Sequence, residues 1–456
     1  MKKLIVLNLI IAVIFAASCQ NNQTEEKTET MTEKGVQHPE WTKASNIYEV
    51  NIRQYTVEGN FAAFMPHLER LQKMGVDILW LMPINPIGEK NRKGTMGSYY
   101  AVKDYTAVNP EFGTMEEFKA LVQKAHELGM HVIIDWVANH TSWDNVWTIE
   151  HPDWYKKDST GNFVSPYDWT DVIALDYNNK ELWKGMAEAM KFWVAEADID
   201  GFRCDVAMLV ETPFWDSVRV VLDSVKPVFM LAEAEEPSHH EKAFDANYSW
   251  EMFHTMKAVA KGEKNVNDIW SRIQLDDSLF GPEVYRMRFT SNHDENSWNG
   301  TDLESFGDGM RTFAVLTWVM KGFPLIYSGQ EAGLNKRLSF FEKDTINWEQ
   351  LHAEEFYTQL ATIKRENPAL WNGLYGGPME VLKNNHAEKI FSFVRSKDNN
   401  TVISVLNLSN DTLSAEIQLD KSHIGSYTNA FTGEKVEVSE KLSLNLAPWQ
   451  YYILKK

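Results

Sequence analysis

The chain has 456 residues, enough for two or three domains, and 44% of them are hydrophobic, which is ample for a large core. Its formal net charge of −19 excludes polyanionic partners, because nucleic acid and an anionic membrane surface would both repel it. Neutral substrates remain compatible with this charge.

The N-terminus has the pattern of an export signal. Two lysines precede an apolar stretch over residues 4–15, and small residues then lead to Cys19. The apolar stretch is too short to span a bilayer comfortably. A cysteine at this point resembles the acylated cysteine of bacterial lipoproteins, and an ordinary cleaved signal is the alternative. We therefore expect a signal peptide over 1–18 and a lipid anchor at Cys19 on an exported protein, with no other membrane contact.

Residues 19–44 are predicted to form a disordered tether, since their first half is rich in Gln, Asn, Thr, Glu and Lys and poor in apolar groups. From residue 47 onward, strand patterns alternate with helical patterns, and Gly75 and Gly129 mark two helix ends. Such alternation predicts parallel strands joined by right-handed crossovers. The alternation breaks over 141–178, a polar stretch rich in Trp and Asp, and then resumes to give eight strands within 45–375.

The last part of the chain has a different pattern. Residues 380–456 form short alternating runs separated by turn residues, which is typical of antiparallel strands. The predicted fold class is therefore α/β: a (β/α)8 barrel with a short insertion after strand 3, followed by a C-terminal β-sandwich domain.

Four carboxylates each close an apolar run with strand character: Asp135, Asp205, Glu233 and Asp294. Barrel enzymes carry their chemistry at the C-terminal ends of the strands. Cleavage of a glycosidic bond needs one carboxylic acid to protonate the departing oxygen and a second carboxylate to act as base or nucleophile. The four acids are therefore candidates for an active site of this kind.

The segments around these acids resemble a known family. DWVANH at 135–140, GFRCD at 201–205, LAE at 231–233 and FTSNHD at 289–294 are similar to the four ordered motifs of the alpha-amylase superfamily, glycoside hydrolase family 13. Flanking segments at 47–56, 78–86, 97–114 and 324–331 share the likeness. The resemblance implies the same barrel, makes the 141–178 insertion a short version of the family's B domain, and implies cleavage of α-glucosidic bonds in α-glucans or maltooligosaccharides.

The resemblance also implies roles for the acids. Asp205 would be the nucleophile that forms a covalent glycosyl intermediate, Glu233 the acid and later the base, and Asp294 a ligand of the sugar hydroxyls. Arg203 lies two residues before Asp205, hence on the same strand face, where its guanidinium can keep that carboxylate ionised. The apolar strand before Glu233 favours a desolvated, protonated carboxyl.

Further residues would contact the sugar. By resemblance His140 and His293 donate hydrogen bonds to hydroxyls, Tyr100 stacks on the ring, and Asp135 orients its neighbours. Trp298 suits a sugar platform because aromatic faces match pyranose rings, although packing at the rim is an equal alternative. Cys204 is expected to be a buried structural thiol.

The chain departs from the family after the nucleophile. Many members carry Lys-His where this chain has Met208 and Leu209, and the histidine backbone is associated with a structural calcium. Asn139, another calcium position of the family, is present. We predict that no metal or other cofactor is required, while calcium binding stays open.

Two alternatives remain open at the level of sequence. One is an α-glucan transglycosidase or a small-oligosaccharide α-glucosidase, which would use the same three acids. The other is a non-catalytic glycan-binding protein on the same barrel, which is disfavoured because all three acids are present.

Overall fold

The computed structural model describes residues 35–456. The predicted signal peptide, Cys19 and the first part of the predicted tether lie outside the described residues. In the part of the chain that is described, no helix combines the length and apolar character needed to cross a membrane.

Residues 47–327 carry the strands of the catalytic half of the chain: β1 (Ile47–Val50), β2 (Ile78–Leu81), β3 (His131–Trp136), β4 (His140–Ser142), β5 (Val172–Ala174), β6 (Gly201–Cys204), β7 (Phe229–Ala232), β8 (Ala246–Tyr248), β9 (Tyr285–Arg288) and β10 (Phe323–Tyr327). All of them except β4 and β5 are parallel and close into a barrel in the order β1-β10-β9-β8-β7-β6-β3-β2. The predicted (β/α)8 barrel is thus confirmed, and each predicted strand within 47–327 is present.

Helices alternate with the barrel strands, except α5, which lies in the insertion: α1 (Ile52–Tyr55), α2 (Phe61–Phe64), α3 (Leu68–Met74), α4 (Met115–Glu127), α5 (Trp147–Glu150), α6 (Lys180–Ala197), α7 (Thr212–Asp223), α8 (Trp250–Ala260), α9 (Val266–Phe280), α10 (Asp302–Phe306), α11 (Met310–Val319) and α12 (Glu354–Glu366).

Local sequence signals explain where these helices begin and end. Thr114 and Glu117 form a capping box at the start of α4, and Gly75 ends α3 with a φ of 93°. In α4 the apolar side chains fall on one face and are buried, so the helix packs against the barrel while its charged face meets water.

The insertion after β3 packs against the barrel without a core of its own. β4 and β5 pair antiparallel, with His140 opposite Ala174, and α5 lies between them in the chain. Aromatic side chains of this insertion, including Trp154, Tyr155 and Tyr177, are buried against the barrel core.

The C-terminal strands are antiparallel: β11 (Met379–Val381), β12 (Ile390–Lys397), β13 (Asn400–Asn407), β14 (Leu413–Gln418), β15 (Gly425–Asn429), β16 (Lys435–Val438), β17 (Lys441–Leu446) and β18 (Tyr451–Lys455). One sheet has the order β11-β12-β13-β18-β15-β16, and β14 pairs with β17. A separate apolar cluster lies between these layers, whereas Phe391, Phe393 and Val402 join the barrel core.

Residues 38–44 differ from the expectation of a disordered tether through residue 44. Residues Glu40–Ala44 form a 3-10 helix, and Trp41 stacks on His131 with ring centroids 3.8 Å apart. His38 contacts the buried carboxylate of Asp245 at 2.9 Å. The polar composition of residues 20–34 does not extend to this segment, whose aromatic and imidazole groups have partners at the N-terminal ends of the barrel strands.

Candidate active site

The register between β6 and β7 brings Asp205 and Glu233 together at the C-terminal end of the barrel. Cys204 of β6 pairs with Ala232 of β7, so the next residues, Asp205 and Glu233, leave adjacent strands side by side. The backbone N–H of Glu233 donates to the carbonyl of Cys204 at 3.0 Å, which continues the ladder to this point. The two acids proposed from the sequence therefore meet above the barrel.

One guanidinium lies beneath these carboxylates. Nη1 of Arg203 is 3.1 Å from Asp205 and 3.0 Å from Asp135, and Nη2 is 3.0 Å from Glu233. Arg203 itself is fully buried, and its Nε donates to the hydroxyl of Tyr248 at 3.1 Å. A single buried cation thus faces three acids and cannot neutralise all of them.

The excess of negative charge affects proton binding. Burial first, and then the neighbouring carboxylate of Glu233, raise the pKa of Asp205 well above its ordinary value, although Arg203 opposes the rise. Burial raises the pKa of Asp135 to about 6 despite Arg203 and His293. Asp205 and Asp135 therefore retain a proton at higher pH than isolated carboxyl groups would, and Arg203 limits this rise in both.

Val206 connects the strand that carries Asp205 to the side chain of Glu233. It adopts a φ of 37°, and its backbone N–H donates to Oε2 of Glu233 at 2.7 Å. The turn after Asp205 thereby fixes the side chain of Glu233 through this hydrogen bond.

A chain of hydrogen bonds links Glu49, His293, Tyr100 and Asp135 on one side of the cavity. Nδ1 of His293 contacts the buried carboxylate of Glu49 at 2.5 Å, and its Nε2 is 2.8 Å from the hydroxyl of Tyr100. That hydroxyl donates to Asp135 at 3.0 Å, and Trp80 donates to the same oxygen at 3.2 Å.

The charge of His293 follows from its carboxylate neighbours. Burial alone would lower the pKa of His293, but Asp294 and Glu49 outweigh burial and raise it to about 9. Both ring nitrogens of this imidazolium are donors at neutral pH. Asp294, with its side chain 35% exposed, is 3.3 Å from Nε2 of His293 and faces the pocket.

His140 is neutral, in contrast to the positively charged His293. Burial lowers its pKa to about 3, so the ring is neutral at working pH. The side-chain amide of Asn139 lies 3.2 Å from Nδ1 of His140, and Trp169 packs edge-on against the ring. With Nδ1 accepting from the amide, Nε2–H is the group left to donate to a ligand.

These residues surround a cavity of about 440 Å³. Of the residues predicted from the sequence, Tyr100, His140, Asp205, Glu233, His293, Asp294 and Trp298 line it, while Arg203 and Asp135 are buried beneath it. Trp298 is 50% exposed and packs beside Phe340 with ring centroids 5.3 Å apart, so it presents aromatic surface at the rim.

Several residues of the candidate active site were not predicted from the sequence. Glu49 and Trp80 lie on barrel strands and contact His293 and Asp135, whereas Lys93, Phe340 and Phe341 line the cavity from loops. Glu49 carried a signal, a charged residue inside an otherwise apolar strand (IYEV), but its partner is 244 positions away. The loop residues carried none.

Asn139, the calcium position named above, and two acids of the insertion, Asp171 and Asp176, each contact another side chain. Asn139 directs its amide at His140, and Asp171 pairs with Lys93 at 3.0 Å. Asp176 accepts hydrogen bonds from Asn178. Within residues 35–456 no group of three or more His, Cys, Asp or Glu side chains is placed to hold a metal ion. Since calcium needs several oxygen ligands together, these side chains do not fit it.

Comparison with known proteins agrees with this geometry. The family "Alpha amylase, catalytic domain" matches residues 14–173 and 148–373, and "Maltogenic Amylase, C-terminal domain" matches residues 379–453. The chain belongs to the alpha-amylase family, glycoside hydrolase family 13. It is an alpha-amylase-type glycosidase, and the expected membership is thereby confirmed.

Relatives share both parts of the chain. A noncanonic maltogenic alpha-amylase from Thermotoga neapolitana is 30% identical with a TM-score of 0.84, covering 91% of this chain and 99% of that one. An alpha-amylase from Lactobacillus plantarum is 33% identical with a TM-score of 0.81 and the same coverage. Alpha-amylase 2 of Dictyoglomus thermophilum is 25% identical over 443 residues, which covers 85% of this chain and 75% of that enzyme.

Proposed function

We propose that this family member hydrolyses α-glucosidic bonds of maltooligosaccharides by double displacement with retention of configuration. The observation that carries this proposal is the placement of Asp205 and Glu233 on adjacent strands against one guanidinium, Arg203. Retaining glycosidases hold their two carboxyl groups about 5–5.5 Å apart, a spacing that adjacent barrel strands supply.

In the first step a carboxylate oxygen of Asp205 attacks the anomeric carbon as the bond to the glycosidic oxygen breaks. Glu233 gives its proton to that departing oxygen, so the leaving sugar departs as a neutral alcohol. In the second step Glu233 takes a proton from water, the water oxygen attacks the anomeric carbon, and the bond to Asp205 breaks. Arg203 holds Asp205 in place throughout.

The other residues bind the sugar that reacts. Asp294 and the imidazolium of His293 face its hydroxyls, and neutral His140 donates from the opposite wall of the cavity. Tyr100 is held by His293 and Asp135, which fixes its ring for stacking. The likeness to a maltogenic alpha-amylase and to an alpha-amylase supports maltooligosaccharides as substrates.

The test of the mechanism is Asp205→Asn. The variant removes the nucleophile but keeps the size of the side chain, so we expect activity on maltotriose to fall below a few per cent with an unchanged melting curve. NMR of freshly formed product from the unaltered enzyme should show the α-anomer. Initial β-anomer would contradict double displacement, and substantial activity of the variant would mean that another residue is the nucleophile.

We also propose that the protein is exported and held at a membrane by acylation of Cys19. The support is the sequence pattern of residues 1–19, since these residues lie outside the described part of the chain. Cys19→Ser removes the acylated thiol, and several acyl chains on one residue are what hold a protein firmly at a bilayer. We expect the variant in the soluble fraction after cell fractionation, or unprocessed. Unchanged membrane fractionation would refute the anchor.

A further inference from the structure

The cavity above Asp205 and Glu233 has two unequal sides. On the side of Tyr100 stands the segment of residues 88–97, called here the 88–97 loop, which follows β2. This loop runs between the insertion and the segment around Phe340 and Phe341, and Lys93 of the loop lines the cavity together with both phenylalanines.

The loop is joined to the insertion at one end. Nζ of Lys93 is 3.0 Å from Oδ1 of Asp171, whose side chain is only 8% exposed. The backbone N–H of Glu89 donates to the carboxylate of Asp144 at 3.0 Å. A Cβ on Gly88 would lie 2.1 Å from Cβ of Ser142, so the loop backbone packs against this side chain with no room for a side chain of its own.

The other end of the loop is joined to the segment at 341–342. The N–H of Thr95 donates to Glu342 at 3.0 Å, and the N–H of Met96 donates to the carbonyl of Phe341 at 3.1 Å. From below, the buried guanidinium of Arg53 donates to the carbonyls of Met96 and Gly97 at 3.1 Å each. The loop is thus fixed at both ends and at its base.

The 88–97 loop, Phe340 and Phe341 are called here the wall. The position of the leaving group decides which end of the bound substrate lies against this wall. In the proposed mechanism Glu233 protonates the leaving oxygen, so the leaving group lies on the side of Glu233 and of Val206, whose N–H donates to that carboxylate. Tyr100 and His293 contact the sugar that becomes bonded to Asp205. Phe340 stacks beside Tyr100 with ring centroids 6.2 Å apart and lines the cavity together with Lys93 and Phe341, so this wall is assigned to the non-reducing end of the bound chain.

We propose that the 88–97 loop, closed by the Lys93–Asp171 ion pair, blocks the non-reducing side of the cavity, so that the enzyme removes short maltooligosaccharides from chain ends instead of cutting internal bonds. This inference rests on the proposed hydrolysis of maltooligosaccharides and adds its mode of attack. A long glucan enters from the open side only, with its non-reducing end against the wall.

The experiment compares maltoheptaose with maltoheptaose whose non-reducing glucose carries a 4,6-O-ethylidene group. Products of each are separated by chromatography over time. We expect the unaltered enzyme to cleave the blocked substrate at least about tenfold more slowly in kcat/KM, since the added group must fit where the wall stands. Lys93→Ala and Asp171→Asn, each of which removes one partner of the ion pair, should bring the two rates closer together.

The matched control is Lys389→Ala, which removes an exposed ion pair with Asp411 in the C-terminal domain and should leave the ratio unchanged. Equal cleavage of free and blocked substrates by the unaltered enzyme overturns this inference but leaves the proposed hydrolysis standing. A ratio unaffected in both ion-pair variants, with normal melting curves, overturns the role of Lys93 and Asp171. No cleavage of either substrate overturns the proposed function itself.

Discussion

Val206, immediately after the proposed nucleophile, combines a φ of 37° with a ψ of 47°. A β-branched residue in the left-handed region costs on the order of 1–3 kcal/mol, and such strain persists only where the surroundings impose it. Here the strained turn aims the N–H of Val206 at Glu233, 2.7 Å away. The hydrogen bond that this turn donates therefore maintains the relative position of Asp205 and Glu233.

Glu49 is a positioning residue for His293, and its removal should change pH dependence. Glu49→Gln takes away a buried charge-assisted hydrogen bond worth about 1.5–3 kcal/mol, so we expect kcat/KM to fall by about tenfold or more. The pKa of His293 is about 9 with Glu49 present, and losing a carboxylate destabilises the imidazolium. The alkaline limb of the profile should therefore move to lower pH.

The same change affects stability with a defined sign. A pKa of His293 raised above its ordinary value contributes stability below about pH 6.5, and this contribution is lost as the pH rises through about 9. Melting curves at pH 6 and pH 10 should show that Glu49→Gln costs more at pH 6. Glu331→Gln, a buried carboxylate paired with Arg70, serves as the control that should leave the alkaline limb in place. An unmoved limb in Glu49→Gln would refute the positioning role.

At the scale of elements, acids of the insertion between β3 and α6 pair with other side chains in the described part of the chain, and we predict that calcium is not required. Asp171 pairs with the ammonium of Lys93, and the amide nitrogen of Asn139 donates toward Nδ1 of His140. We expect dialysis against EDTA to leave activity and Tm unchanged, because hard cations need several oxygen ligands in one place. Tm is measured with and without added calcium. A rise of several degrees on adding calcium would contradict this expectation.

The sequence is informative about elements whose signals are local. Strand and helix positions followed from periodicity and capping, and the motifs that carry Asp205, Glu233 and Asp294 named the residues that the barrel brings together. The 88–97 loop could not be foreseen in this way. Its position depends on pairs such as Lys93 with Asp171 and Thr95 with Glu342, and residues far apart in sequence leave no periodic signal. Trp41 was missed because its partner, His131, is likewise distant.

At the scale of the whole molecule, one buried arginine joins the C-terminal domain to the barrel. Arg395 of β12 is 1% exposed and donates to the carbonyls of Met320 at 3.0 Å, Trp371 at 3.0 Å and Gly377 at 3.1 Å. Met320 follows α11 of the barrel, so the guanidinium bridges the two parts through the main chain.

Arg395→Met should destabilise the protein strongly. The substitution leaves several buried carbonyls without donors, each costing about 1–3 kcal/mol, so we expect a loss of at least about 3 kcal/mol and a lower Tm. Calorimetry provides the measurement. Lys441→Ala, which removes an exposed pair with Glu416, is the control and should change Tm little. A Tm of Arg395→Met equal to that of the control would show that the junction is held by apolar packing alone.

The segment at 38–44 packs where the barrel strands begin, with Trp41 on His131 and Thr42 beside Tyr285, whereas Asp205 and Glu233 leave the strands at their other ends. The polypeptide consequently enters the barrel on the face opposite the catalytic mouth. Coupling this protein to a resin, a sensor chip or a particle through its N-terminal side would direct the mouth outward, toward the bulk solution. Coupling chemistry aimed at the rim would instead obstruct the entry of bulky polysaccharide.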